Sequence, residues 1–195
     1  MINRVNMDGV TAYSEYAQLP KGGYVVKIMK AEVKTNRVGQ YIELSCDICE
    51  GEYTGFYAED YRNQGDPKKW HCVAFVNVPR DDGSEKDGWT KKSFKTWYDA
   101  LEQSNPGYTF DWDDTKLKGL ICGAVFAGEE YIGRDGTKKM AIKIRNWIPA
   151  DNVRNGKYKI PEDKPVKGGG SAAPSSSSSV SGFIPVSETD EDLPF

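Results

Sequence analysis

The sequence predicts a mostly β domain, a five-stranded barrel with one helix between its third and fourth strands, followed by a long polar tail. Three observations lead there. Short runs of β-branched and apolar residues recur between turn signals. One segment alone changes to helical spacing, and the composition shifts abruptly after about Pro161.

Gly22-Gly23 introduces the first strand, Tyr24 to Lys34, which is rich in Val and Ile. Tyr41 to Ile48 alternates, with Ile42, Leu44, Cys46 and Ile48 on one face and Tyr41, Glu43, Ser45 and Asp47 on the other. The polar stretch between them ends in Gly39-Gln40, so the two strands form a hairpin. Trp70 to Val78 is a third apolar run, closed by Pro79 and Asp81-Asp82-Gly83. Phe94, Trp97, Tyr98 and Leu101 then fall at i, i+3, i+4 and i+7. That spacing predicts a helix of about three or four turns, capped by Thr90 and stopped at Asn105-Pro106-Gly107. Lys118 to Ala127 and Met140 to Ile148 read as the last two strands, with the tip Gly133-Arg134-Asp135-Gly136 between them.

Three strands, a helix and two strands is the order of the OB-fold, a partly open Greek-key barrel. That fold takes oligonucleotides across its second and third strands and in the loops joining strands one to two and four to five. The expected organisation is an OB-fold-like domain over 1–160, a disordered Gly/Ser-rich linker over 161–187 and an acidic tip over 188–195. The linker contains five consecutive serines, Ser175 to Ser179, and offers little to bury.

A net charge of -3 argues at first against a phosphate-binding surface. The mean conceals an asymmetry. All 26 Lys and Arg lie before Gly168, whereas Glu188, Asp190, Glu191 and Asp192 are four of the 29 acids; the body therefore carries 26 bases against 25 acids. Four cysteines suit a reducing compartment. The longest apolar run, Gly119 to Gly128, is half of a membrane span. The expectation is a cytoplasmic protein with no membrane partner.

The last six residues, Asp190, Glu191, Asp192, Leu193, Pro194 and Phe195, match position for position the tip of the bacterial and phage single-stranded DNA-binding proteins, SSB. The chain resembles that family in three ways: an OB-fold order, a Gly/Ser linker, and this acidic end. The body looks more like a phage-encoded variant than the bacterial domain. The resemblance implies a protein that coats and protects single-stranded DNA in replication, recombination or repair. It also implies docking of partner proteins through Asp190 to Phe195, and leaves homo-oligomerisation open. Physically, burying Phe195 would contribute about 1.5–3 kcal/mol, and a carboxylate held by Arg or Lys about as much again.

Single strands are held by cations for phosphates and rings for bases. On the last strand Lys143, Arg145 and Trp147 are expected to share one face, with Met140, Ile142 and Ile144 on the core side; packing of Trp147 under a loop is the competing reading. The fourth-to-fifth hairpin adds Tyr131, Arg134, Lys138 and Lys139. The first-to-second loop adds Lys34, Arg37 and Tyr41. Lys68, Lys69 and Trp70 interleave charge and ring before the third strand.

Cys46, Cys49, His71 and Cys72 are a metal-compatible set by type, with C-x-x-C spacing. Against zinc, Cys46 sits on an apolar strand face and the adjacent His71 and Cys72 point to opposite sides. No cofactor is expected. Catalysis has little support: there is no P-loop, a single His, and an acidic trio, Asp111, Asp113 and Asp114, that in a nuclease would hold magnesium. The alternatives to a DNA coat are such a nuclease, or an adaptor that uses the tail without binding DNA.

Overall fold

The computed structural model describes Asn6 and residues 18–166. The linker beyond 166, the tip Asp190 to Phe195, and Tyr13 and Tyr16 lie outside the described residues. Five antiparallel strands form one sheet in the order β3-β2-β1-β4-β5. They are β1 (Gly22–Asn36), β2 (Gly39–Ile48), β3 (Val73–Asn77), β4 (Ile121–Ile132) and β5 (Lys138–Ile148). Helix α1 (Phe56–Asn63) precedes β3, α2 (Glu85–Ser104) follows it, and the short α3 (Ala150–Arg154) closes the set.

β1 is the shared central strand. It pairs with β2 from Val26↔Ile48 to Asn36↔Gly39, and with β4 only from Gly22 to Lys27. The strand bulges between Ile28 and Lys30, leaving Met29 exposed, and the sheet parts there. The predicted alternation holds on β2: Ile42, Leu44, Cys46 and Ile48 are all buried.

The expected barrel is not closed. β3 and β5 are the two ends of the sheet, and no ladder joins them among the described residues. Helix α2 packs against β3, β4 and β5, so a helix spans the opening that a closing ladder would occupy. Its buried Phe94, Trp97, Ala100 and Leu101 enter the core beside Leu44, Cys46, Cys122 and Phe126. Such rings bring 150–250 Å² each, which makes the helix face a large part of the core.

α2 starts earlier than the predicted Thr90. Ser84 is the cap: its Oγ accepts from Asp87 N at 3.1 Å. Thr90 is inside the helix, its hydroxyl donating to Lys86 O. The helix is thus 20 residues long, more than five turns, and its first nine residues, 85–93, are exposed or half-buried apart from Asp87.

α1 was not anticipated. Its entry residue Gly55 takes φ +77 and supplies no side-chain cap; the cap comes from β2. The Asp47 carboxylate accepts from Tyr57 N (3.0 Å), Ala58 N (3.3 Å) and Ile48 N (2.9 Å). That explains why Asp47, expected on the polar face, is buried.

Residues 161–166, assigned by sequence to the linker, lie along β4. Lys164 bridges Glu129 in parallel, with Lys164 N donating to Gly128 O and Glu130 N to Lys164 O, each at 2.9 Å. Asp163 accepts from Gly128 N (3.1 Å) and pairs with Lys21 (2.6 Å). A Cβ at Gly128 would stand 2.6 Å from the Asp163 carboxylate, so this close approach needs glycine. Leu19 is also drawn in, buried in the core cluster.

Candidate nucleic-acid interface

The row expected on β5 is broken by register. β4 pairs Phe126 with Ile144 but Val125 with Asn146, so Arg145 is the extra residue of a bulge. Lys143 stands opposite Ala127, and Trp147 opposite Ala124, three residues away on the partner strand and hence on the other face. Trp147, with Ile142 and Ile144, packs against the core cluster. Lys143 faces outward and is held by Glu129 at 3.2 Å. The Arg145 guanidinium has a buried Nη1 with no hydrogen-bond partner. Lys143, Arg145 and Trp147 therefore do not form one surface, and Met140 is exposed at its end of the strand.

Trp70 is likewise committed to packing. Its indole N–H donates to Cys46 O at 2.9 Å, and Tyr61 lies against it at 5.6 Å. Lys68 donates to Arg62 O and sits over the Tyr61 ring; the Lys69 amide donates to Gln64 Oε1.

The two hairpin tips are open. In the β4–β5 loop, Gly133 N donates to Thr137 O and Gly136 N to Gly133 O, with Gly136 at φ +74. The tip is the five-residue loop 133–137, with Gly136 in the left-handed region as its glycine bulge, and it contains the Gly133-Arg134-Asp135-Gly136 tip expected from the sequence. Asp135 caps it, accepting from the Thr137 amide and hydroxyl and pairing with Lys139 at 2.9 Å. The Lys139 bond, reinforced by Thr137, holds the Asp135 carboxyl down at about 2. Arg134 and Lys138 on this tip, and Arg37 on the β1–β2 tip, have no ion-pair partner among the described residues. Tyr131 is exposed beside them.

Lys34, by contrast, is saturated. It pairs with Glu43 (2.7 Å) and Glu32 (3.5 Å), and Glu43 raises the ammonium above its ordinary range. Tyr41 lies next to Lys34 in the ladder and meets Phe75 edge-on, ring centroids 5.7 Å apart. Phe75, which the sequence reading did not single out, is 62% exposed in the middle of β3. It was hidden because Trp70 to Val78 reads as apolar throughout, and only the structure separates outward Phe75 from inward Ala74 and Val76.

The metal-compatible set does not assemble. Cys46 and Cys72 are core residues whose thiols burial pushes far up, while Cys49 donates to Val25 O. His71 turns outward to Asp60, Nδ1 to Oδ2 2.7 Å. Among the described residues no three His, Cys, Asp or Glu are grouped to hold a metal ion. The acidic trio is engaged otherwise: Lys116 pairs with Asp111 and Asp113, and Asp113 caps the 3-10 turn Asp114–Leu117 through Thr115. No helix among the described residues is long and apolar enough to cross a membrane.

Comparison with models of known families finds none that matches the chain, and comparison with curated proteins finds no relative.

Proposed function

We propose that the chain is a single-stranded DNA-binding protein. It coats and protects the strand during replication, recombination or repair without catalysing a reaction, and its C-terminal tip recruits partner proteins. The observation that carries this reading is the strand order β3-β2-β1-β4-β5 with α2 across the gap. It is the order of an OB-fold in which the ladder between strands three and five is missing. In that architecture the outer face of β2 and β3 and the two hairpin loops receive the strand. Here those places carry Tyr41, Phe75, Arg37, Arg134, Lys138 and Lys139. Tyr131 is also exposed there. Arg37, Arg134 and Lys138, without ion-pair partners among the described residues, suit phosphates, and exposed rings suit bases. The acidic tip Asp190 to Phe195 adds the family resemblance drawn from the sequence, which also makes a bacterial or phage-encoded cytoplasmic protein the natural setting.

The test is titration of the full chain with oligothymidine while tryptophan fluorescence is followed. Binding that weakens as salt rises, with little dependence on sequence, is expected. Absence of binding at low salt would leave the adaptor reading. Magnesium-dependent cleavage of the oligonucleotide, abolished by Asp113→Ala, would replace the coat protein with a nuclease.

A further inference from the structure

Beyond the end of α2 the chain turns back along the helix, with Phe110 N donating to Glu102 Oε1 at 2.9 Å. Tyr98, Phe110 and Trp112 then lie in a row, consecutive ring centroids 5.7 and 5.5 Å apart. Tyr98 and Phe110 are half-buried. Trp112 is 67% exposed, the most open of the large apolar side chains among the described residues. One face of its indole rests on Phe94, 5.3 Å between centroids and 20° from parallel, and the ring is otherwise open to solvent. Its backbone is at φ +68, in the left-handed region that a bulky side chain avoids. The ring is not buried in return, so the strain marks Trp112 as placed for a contact. Around it the rim is acidic. Asp111, Asp113 and Asp114 flank the indole in sequence; Lys116 pairs with the first two, and Asp114 has no ion pair among the described residues. At the other end of the row Lys95 already sits over the Tyr98 ring at 5.0 Å, whereas no cation among the described residues lies over Trp112. Carboxylates beside an open indole repel phosphates and favour a cation, for which Trp is the best ring.

We propose that Tyr98, Phe110 and Trp112 form a docking groove for a proline-rich segment of a partner protein that carries an arginine. Such a segment is already extended as polyproline II, so it loses little freedom on docking, and its prolines pack against aromatic rings. The ring spacing gives room for one turn of that helix, about 9 Å. The arginine covers the open part of the Trp112 indole and meets Asp114. This is a second docking surface, on the folded body and separate in sequence from the acidic tip, and it does not rest on the DNA-binding reading.

The experiment titrates the full chain, with its five tryptophan indoles labelled by nitrogen-15, with the peptide acetyl-PPPRPPP-amide. Controls are acetyl-SGSRSGS-amide, acetyl-PPPEPPP-amide and dT20. The Trp112 indole signal, assigned by its absence in Trp112→Ala, is expected to shift saturably with PPPRPPP and with neither peptide control. Trp112→Ala should weaken PPPRPPP by about 30-fold or more. Because that change uncovers Phe94, Asp114→Asn is the second variant, expected to weaken the same peptide by about 2- to 5-fold with its thermal midpoint unchanged. Saturable PPPRPPP binding in a protein that ignores dT20 would sustain the groove and remove the DNA reading. No shift of the Trp112 signal at millimolar PPPRPPP overturns the groove, as does equal binding of SGSRSGS, which would leave only an acidic patch. A Trp112 shift on adding dT20, with DNA affinity lost in Trp112→Ala, gives the ring to DNA instead. A lower sedimentation mass for Trp112→Ala gives it to a second copy, and either result overturns the proposal.

Discussion

Individual side chains in this protein show how much a single buried polar group can organise. Asp47 occupies a position that alternation assigns to solvent, yet it is buried because three backbone N–H groups at the start of α1 and the end of β2 converge on it. Those donors have no replacement within the helix, since Gly55 offers no side chain. Asp47→Ala should therefore cost about 1–2 kcal/mol, with Asp47→Asn recovering part of it through its remaining oxygen. Urea unfolding of the three proteins measures this, and equal midpoints would show that water serves the α1 amides as well as Asp47 does. The cysteines give a second residue-scale expectation. Burial raises all four thiols, pushing Cys122 to about 12, and Cys46, Cys72 and Cys122 are enclosed in the core. The thiolate is the reactive form. At pH 8 a thiol reagent should label Cys49 alone, and slowly, with the other three reacting only when denaturant is added. Rapid labelling of two or more in the native protein would contradict this enclosure.

At the scale of elements, period decides what can be read from sequence and register decides what cannot. β2 was legible because Ile42, Leu44, Cys46 and Ile48 alternate with polar residues, and α2 because Phe94, Trp97, Tyr98 and Leu101 share one stripe. α1 was not, since one buried residue, Tyr57, gives eight residues no periodic signature and its cap is distant in sequence. The β5 bulge was invisible for a different reason: it is defined against β4, so no property of Ile144-Arg145-Asn146 announces that Trp147 changes face. The strap at 161–166 was equally hidden, because ion pairs and a glycine on β4, not burial, fasten it. That origin makes the strap sensitive to acid. The hydrogen bond from Lys164, then that from Lys143, keeps Glu129 below its ordinary range, and Lys21 does the same for Asp163. Carboxylates depressed in the folded state contribute attachment above their ordinary values near 4, and lose it as pH falls through the lowered ones. The amide of Glu130, which donates to Lys164 O, should lose its protection factor below about pH 4, while α2 amides such as Leu101 keep theirs. Equal loss at both sites would mean that the whole domain opens and the strap has no separate transition.

For the molecule as a whole, charge has to be counted by what is already paired. The body is close to neutral and half of its described lysines, 9 of 18, are paired with carboxylates, so affinity for a polyanion cannot follow the number of bases. Arg37, Arg134 and Lys138 stand on the hairpin tips with no ion-pair partner among the described residues. Each phosphate neutralised on a single strand adds about -0.7 to the slope of log K against log salt, through release of its counterion. Substituting these three by Ala should flatten the slope by about 2. Lys34→Ala with Lys143→Ala should flatten it by less than about 1, because those ammonium groups are neutralised by Glu43 and Glu129 before DNA arrives. Phe75→Ala should leave the slope unchanged while lowering affinity, since stacking releases no counterions. Binding isotherms with oligothymidine at five salt concentrations separate the three cases. A larger slope change for the paired lysines than for the free tips would show that DNA displaces the carboxylates, which would move the phosphate path from the hairpin rims onto the sheet.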